Sequence, residues 1–167
     1  RSHEVSAYLN KSVNLRSITS YAEVGCPLWG NYYHFRKPWI KQYFLNIEEK
    51  NFWKADKKKG ENCLRYLSKK VKIVKKKSFK KIDFVGIYNF LDHVENPLKL
   101  FNTYLKNVEI FGIICEDIDL SKKIDCQHFS SWSHKSLKFL SKKIGYTILK
   151  KPFRLSNSIF KFYVSSF

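Results

Sequence analysis

The chain has 167 residues, 44% hydrophobic and 17% aromatic, which fits one folded domain and excludes a disordered polymer. No apolar run approaches the roughly 18 to 20 residues that span a bilayer, and the first residues lack the pattern of a signal peptide. Lys and Arg number 32 against 14 Asp and Glu, and the net charge of +18 invites a polyanionic partner.

The chain begins Arg1-Ser2-His3 and contains no Met, so residue 1 is not expected to be a translational start, and the first residues read either as a cloning scar or as the cut edge of a longer protein. Up to Asn14 the pattern is weak. Residues 1–19 are expected to form an N-terminal extension or helix, ahead of a single domain over 20–167. Ser20 to Val24 predicts a strand, followed by the turn Gly25-Cys26-Pro27-Leu28-Trp29-Gly30 and a short or broken helix that stops before Pro38. Tyr43 to Ile47 predicts a second strand, ending at Glu48-Glu49. Leu64 and Leu67 recur at helical spacing within 61–70. Val71 to Val74 is a short strand and Lys75 to Lys81 a charged loop.

Ile82 to Phe90 is almost continuously apolar, as expected of a central strand buried on both faces. Pro97 opens a helix whose inner stripe is Leu98, Phe101 and Leu105, and Val108 to Cys115 is the next buried strand. Ser133 is placed to cap a helix with Leu137, Leu140 and Ile144 inward and Gly145 as its stop. Tyr146 to Leu149 and Ile159 to Val164 complete the set as strands. This alternation predicts an α/β layered domain with a mostly parallel sheet.

Cys26, Cys63, Cys115 and Cys126 form no CxxC pair. They are expected to be reduced thiols of a cytoplasmic protein, with no metal site. The lysines come in short runs such as Lys57 to Lys59 and Lys75 to Lys77, beside abundant Asn, Ile, Phe and Tyr, all of which AT-rich codons favour. Solvated lysine faces are therefore preferred over a dedicated binding stripe.

In an open parallel sheet, ligands sit beyond the carboxyl ends of the strands where the strand order switches. Three predicted ends carry chemistry. Glu23 precedes the Gly25 turn, where a glycine lets backbone approach a ligand closely. Glu48 lies some 20 positions further on, where nucleotide sites place a carboxylate on ribose hydroxyls. Asn89, Asp92 and His93 follow the most apolar strand, and an imidazole there can serve as a general base.

Taken together, these segments resemble the class I S-adenosylmethionine-dependent methyltransferases, specifically the group acting on small molecules or sugar carbons. Glu23-Val24-Gly25-Cys26 is similar to the first half of that group's acidic-x-Gly-Cys-Gly-x-Gly turn. Leu91-Asp92-His93-Val94-Glu95-Asn96-Pro97 is similar to the motif after its central strand. Gln127-His128-Phe129, the leucine-rich helix and Gly145-Tyr146 extend the match toward the C-terminus. The resemblance implies a Rossmann-like, doubly wound sheet of seven strands, mostly parallel with an antiparallel last strand. It further implies S-adenosylmethionine as cofactor, S-adenosylhomocysteine as product and a small-molecule acceptor. Glu23, Gly25, Cys26, Gly30, Glu48 and Asn89 would hold the cofactor, and His93 and Asp92 would be catalytic. Pro27-Leu28-Trp29 departs from the group's Gly-x-Gly, and the loop Lys75 to Lys81 has no acidic residue for adenine. Two other readings stand beside this one: a binding module that kept the fold and lost the cofactor, and an RNA-directed methyltransferase or binder using its lysine faces.

Overall fold

The computed structural model describes residues 2–25, 35, 37–46, 72–75, 81–116, 129–149, 153–154 and 160–166. The helix expected at 61–70 and the glycine–proline turn after Gly25 lie outside them. Helix α1 (Ser2–Ser12) leads through a 3₁₀ turn (Leu15–Ser17) into β1 (Ser20–Gly25), which β2 (Lys41–Asn46) and β3 (Lys72–Lys75) follow. Strand β4 (Ile82–Tyr88) continues through a 3₁₀ turn (Leu91–His93) to α2 (Pro97–Lys99) and a π-helical turn (Leu100–Tyr104). Then come β5 (Val108–Glu116), α3 (His134–Lys143), β6 (Thr147–Ile148), β7 (Phe153–Arg154) and β8 (Phe160–Ser166).

These strands form one sheet of order β3-β2-β1-β4-β5-β8-β6, with β7 also on β8. The pairs from β3 to β5 are parallel, and β8 runs antiparallel to β5. Eight segments replace the seven strands expected, because the outer edge is broken. β6 and β7 both pair with β8, and Phe153 lies five positions after Ile148 whereas its partner Phe162 lies only three before Ser165. The two segments therefore pair with β8 at different offsets.

Alternation along the strands builds a core on each face of the sheet. Tyr21, Phe44, Phe84, Tyr88 and Ile114 point to one side, where Leu9, Val13 and Ile18 from the N-terminal segment close over them. Ala22, Val24, Leu45, Val85, Ile87, Phe111 and Ile113 point to the other, under Phe101, Leu105, Leu137 and Leu140. On the first side Tyr21 stacks on Phe35 at 3.9 Å with the rings 7° apart, and Phe84 meets Phe35 at 4.8 Å. Such aromatic pairs add about 0.5–1.5 kcal/mol each beyond the area they bury.

The helix opened by Pro97 departs from its predicted stripe. Asn96 caps it by accepting the Lys99 N–H, but regular α-helix lasts only through Lys99. The Leu105 N–H then bonds to the Leu100 carbonyl, a π-helical closure that turns the following residues relative to an α-helix. Leu100, Phe101, Tyr104 and Leu105 face inward and Leu98 is left exposed. Helix α3 follows its sequence signals closely. Ser133 and Ser136 form a reciprocal capping box, Leu137 and Leu140 are buried, and Gly145 takes φ 81° just past the end.

At the amino end of the sheet, Asp83 ties β4 to the start of β1. Its carboxylate accepts from Thr19 Oγ1 at 2.7 Å and from the Thr19 and Ser20 N–H groups at 2.8 and 3.0 Å, while its own N–H donates to Ser20 Oγ. Partial burial pushes its pKa up, but the hydrogen bonds from Thr19 and Ser20 outweigh this and leave it below the usual range. A depressed carboxylate contributes stability above its unfolded value near 3.9, and that contribution disappears as pH falls through the folded value. Asp83→Asn should therefore cost about 1 kcal/mol by urea unfolding at neutral pH. The gap between wild type and variant should close below about pH 4.

Candidate active site at the strand-order switch

The chain moves outward from β1 through β2 to β3, then returns to place β4 on the other side of β1. The switch in strand order therefore lies between the carboxyl ends of β1 and β4, where open α/β sheets bind their ligands. Gly25 pairs with Tyr88 in the last register position of these two strands. Asn89 follows at once.

Asn89 adopts φ 46°, the only positive φ outside glycine among the described residues. Asn tolerates this left-handed conformation better than most side chains do. Its N–H donates to the Ile114 carbonyl at 2.8 Å, which turns the chain toward β5 as it leaves β4. Its side-chain Oδ1 is buried and accepts no hydrogen bond among the described residues. A buried acceptor left in this state asks for a donor, and here it lies next to the switch point.

Beneath the switch sits a polar cluster inside an otherwise apolar core. Glu23 is only 4% exposed, and its Oε2 accepts the Tyr21 hydroxyl at 3.1 Å. Tyr88 lies beside both. Burial first, then the Glu23 charge, pushes the Tyr21 and Tyr88 phenols far above their ordinary range, so both stay protonated and neutral at any physiological pH. Gly86 pairs with Glu23 across the strands, and the Tyr88 ring folds back over it. A β-carbon at Gly86 would overlap that ring. The missing side chain is what gives Tyr88 room to reach toward Tyr21 and Glu23.

The other sequence-selected residues are distributed as follows. Asp92 and His93 lie on the 3₁₀ turn after β4, with Asp92 buried and His93 half-buried. The Asp92 carbonyl accepts the N–H groups of Phe129 and Ser130 at 2.8 and 3.2 Å, so this turn anchors the segment leading to α3. Leu91 belongs to the core on the α3 side, whereas Glu23 lies on the face of Tyr21, under α1. The structure thus gathers Glu23, Gly25 and Asn89 at the switch and puts Asp92 and His93 a few residues further along the same rim. Cys26, Gly30 and Glu48 lie outside the described residues. Sequence reasoning missed Tyr21, Tyr88 and Gly86, although a lone glycine inside an apolar strand signals a close approach. Among the described residues no cluster of His, Cys, Asp and Glu is arranged to hold a metal ion, and no described helix is long and apolar enough to cross a membrane.

The fold is similar to that of solved S-adenosylmethionine-dependent methyltransferases. A methyltransferase from Aquifex aeolicus superposes with a TM-score of 0.65 at 13% identity, over 97% of this chain and 89% of its own. Magnesium protoporphyrin IX methyltransferase from Synechocystis PCC 6803, with bound S-adenosylhomocysteine, gives 0.64 at 11% identity, over 99% and 81%. A small RNA methyltransferase gives 0.63 at 13% identity, over 99% of this chain and 25% of its own. No protein family and no curated protein matches the chain by sequence.

Loss of the Tyr21 hydroxyl leaves a buried carboxylate short of a donor, so Tyr21→Phe should destabilise by about 1–3 kcal/mol. Gly86→Ala should cost a similar amount by displacing the Tyr88 ring. Urea unfolding followed by circular dichroism measures both.

Proposed function

We propose that the chain is an S-adenosylmethionine-dependent methyltransferase. The observation that carries this reading is the unsatisfied Asn89 Oδ1 at the β1–β4 switch, beside Gly25 and above Glu23. A ligand with an ammonium group and hydroxyls suits that set, because it brings donors to a carboxylate and to an orphaned amide oxygen. Glu23, Gly25 and Asn89 would hold the amino-acid end of the cofactor, together with the Cys26 and Gly30 turn, and Glu48 its ribose. When bound, S-adenosylmethionine supplies a methyl group already activated for transfer.

The rest falls to the chain. Tyr21 keeps the Glu23 carboxylate in one orientation, so the site does not reorganise on binding. His93 would take a proton from the acceptor, with Asp92 next to it on the same turn. The sequence motif Leu91 to Pro97 favours a small-molecule or sugar acceptor. The outer surface of α3 favours a larger, anionic one.

Isothermal titration with S-adenosylmethionine and S-adenosylhomocysteine tests the cofactor site. Asn89→Gly keeps the left-handed backbone and removes the amide, so it should fold normally and bind the cofactor roughly threefold to tenfold more weakly. Asn89→Ala should lose the same affinity and in addition about 1 kcal/mol of stability from backbone strain. If the wild-type chain binds neither ligand, the reading fails and a module that kept the fold without the cofactor replaces it.

A further inference from the structure

Helix α3 turns its leucines inward and leaves a basic face outward. Leu137, Leu140 and Ser141 are buried, and the remaining surface carries Lys135, Lys138, Lys142 and Lys143 with no carboxylate anywhere in the ten residues. Like charges three and four residues apart weaken a helix by a few tenths of a kcal/mol per pair. Among the described residues Lys135, Lys138 and Lys142 have no acidic partner to relieve this. Phe139 stands among them 65% exposed, with the Lys143 ammonium 5.5 Å from its ring centre.

The position of this face gives it meaning. The backbone before α3 is bound to Asp92 through the Phe129 and Ser130 N–H groups, and Trp132 shares a core with Phe90 and Leu91. The helix therefore starts beside the Asp92–His93 turn and runs from it for about 15 Å. Phe129, at the near end, is itself 42% exposed. An exposed ring, a half-buried histidine and a cationic helix carrying a second exposed ring thus follow one another from the rim of the site.

We propose that this face docks a single-stranded polynucleotide, the methyl acceptor, with phosphates on Lys135, Lys138 and Lys142 and a base against Phe139. The acceptor role rests on the methyltransferase reading above. Phosphate neutralisation supplies affinity, and a free aromatic face adds stacking that only unpaired bases can use. An anionic membrane surface is a poorer occupant, since interfacial helices need a broad apolar face and α3 has already buried its own.

Fluorescence anisotropy with a short labelled RNA, the matching single-stranded DNA and anionic phospholipid vesicles, over a range of salt, tests this. The triple variant Lys135→Glu/Lys138→Glu/Lys142→Glu should bind polynucleotide at least about tenfold more weakly, with a salt slope smaller by roughly 2. Phe139→Ala should lose about fivefold or more. The control Lys11→Glu/Lys37→Glu/Lys41→Glu makes the same change in net charge at exposed lysines of α1, which covers the other face of the sheet from α3, and of the entry to β2. It should stay within about threefold of wild type. Equal losses in the two triple variants would overturn the proposal, as would binding to vesicles without binding to either nucleic acid. Stronger binding of RNA or of DNA identifies which strand is the ligand. Cofactor titration of the α3 variant separates the two readings. Cofactor binding without α3-dependent polynucleotide binding sinks this proposal alone, whereas the reverse sinks the acceptor role together with the methyltransferase.

Discussion

Glu23 faces Gly86 across the β1–β4 pair, and much of the molecule is arranged around that match. A carboxylate at 4% exposure is tolerable in a core only with donors close by. Tyr21 supplies one from two residues back on the same strand, and Tyr88 approaches because the strand beside Glu23 carries no side chain at Gly86. A register shift of one residue between β1 and β4 would turn Glu23 into the apolar core on the α3 side. The polar cluster thus fixes the pairing as well as the floor of the switch point. The same pairing brings Gly25 against Tyr88 and delivers Asn89 to the rim.

From this floor the sheet distributes its duties by face. The side under α1 is a tight aromatic stack of Tyr21, Phe35 and Phe84, suited to holding a fixed charge still. The side under α3 is larger and includes an edge-on contact of Phe101 with Phe111 at 5.0 Å, extended by Tyr146 at 4.8 Å. Tyr146 also donates its hydroxyl to the Val108 carbonyl, which fastens the end of α3 to the start of β5. Among its structural neighbours one fold serves acceptors as different as a porphyrin and an RNA.

Much of the architecture was legible in the sequence because local signals and burial agreed. The apolar run from Ile82 to Phe90 could only be a strand covered on both sides, and Ser133 with Gly145 bracketed α3 to within a residue. Disagreement came where non-local geometry decided. Nothing in the 97–105 periodicity announces a π-helical turn, because Leu98 and Leu100 are equally apolar and only the packing chooses between them. The break between β6 and β7 arises from pairing with β8, which single-strand patterns do not encode. At the site, motif spacing singled out Glu23, Gly25 and Asn89, which the topology then collected at one point. The tyrosines that support Glu23 were invisible as such, since an aromatic on an apolar strand looks like core whether or not its hydroxyl has work to do.

The broken outer edge bears on how the protein behaves in a crowded solution. An unpaired edge strand is a template onto which a second chain can zip, and long flat edges invite fibre formation. Here one border of the sheet is split into two segments of two residues each, out of register by the inserted residues. The opposite border, β3, is four residues long and begins and ends with lysine. Among the described residues neither offers a long uninterrupted ladder to a neighbour, an arrangement that disfavours edge-to-edge pairing of aromatic strands.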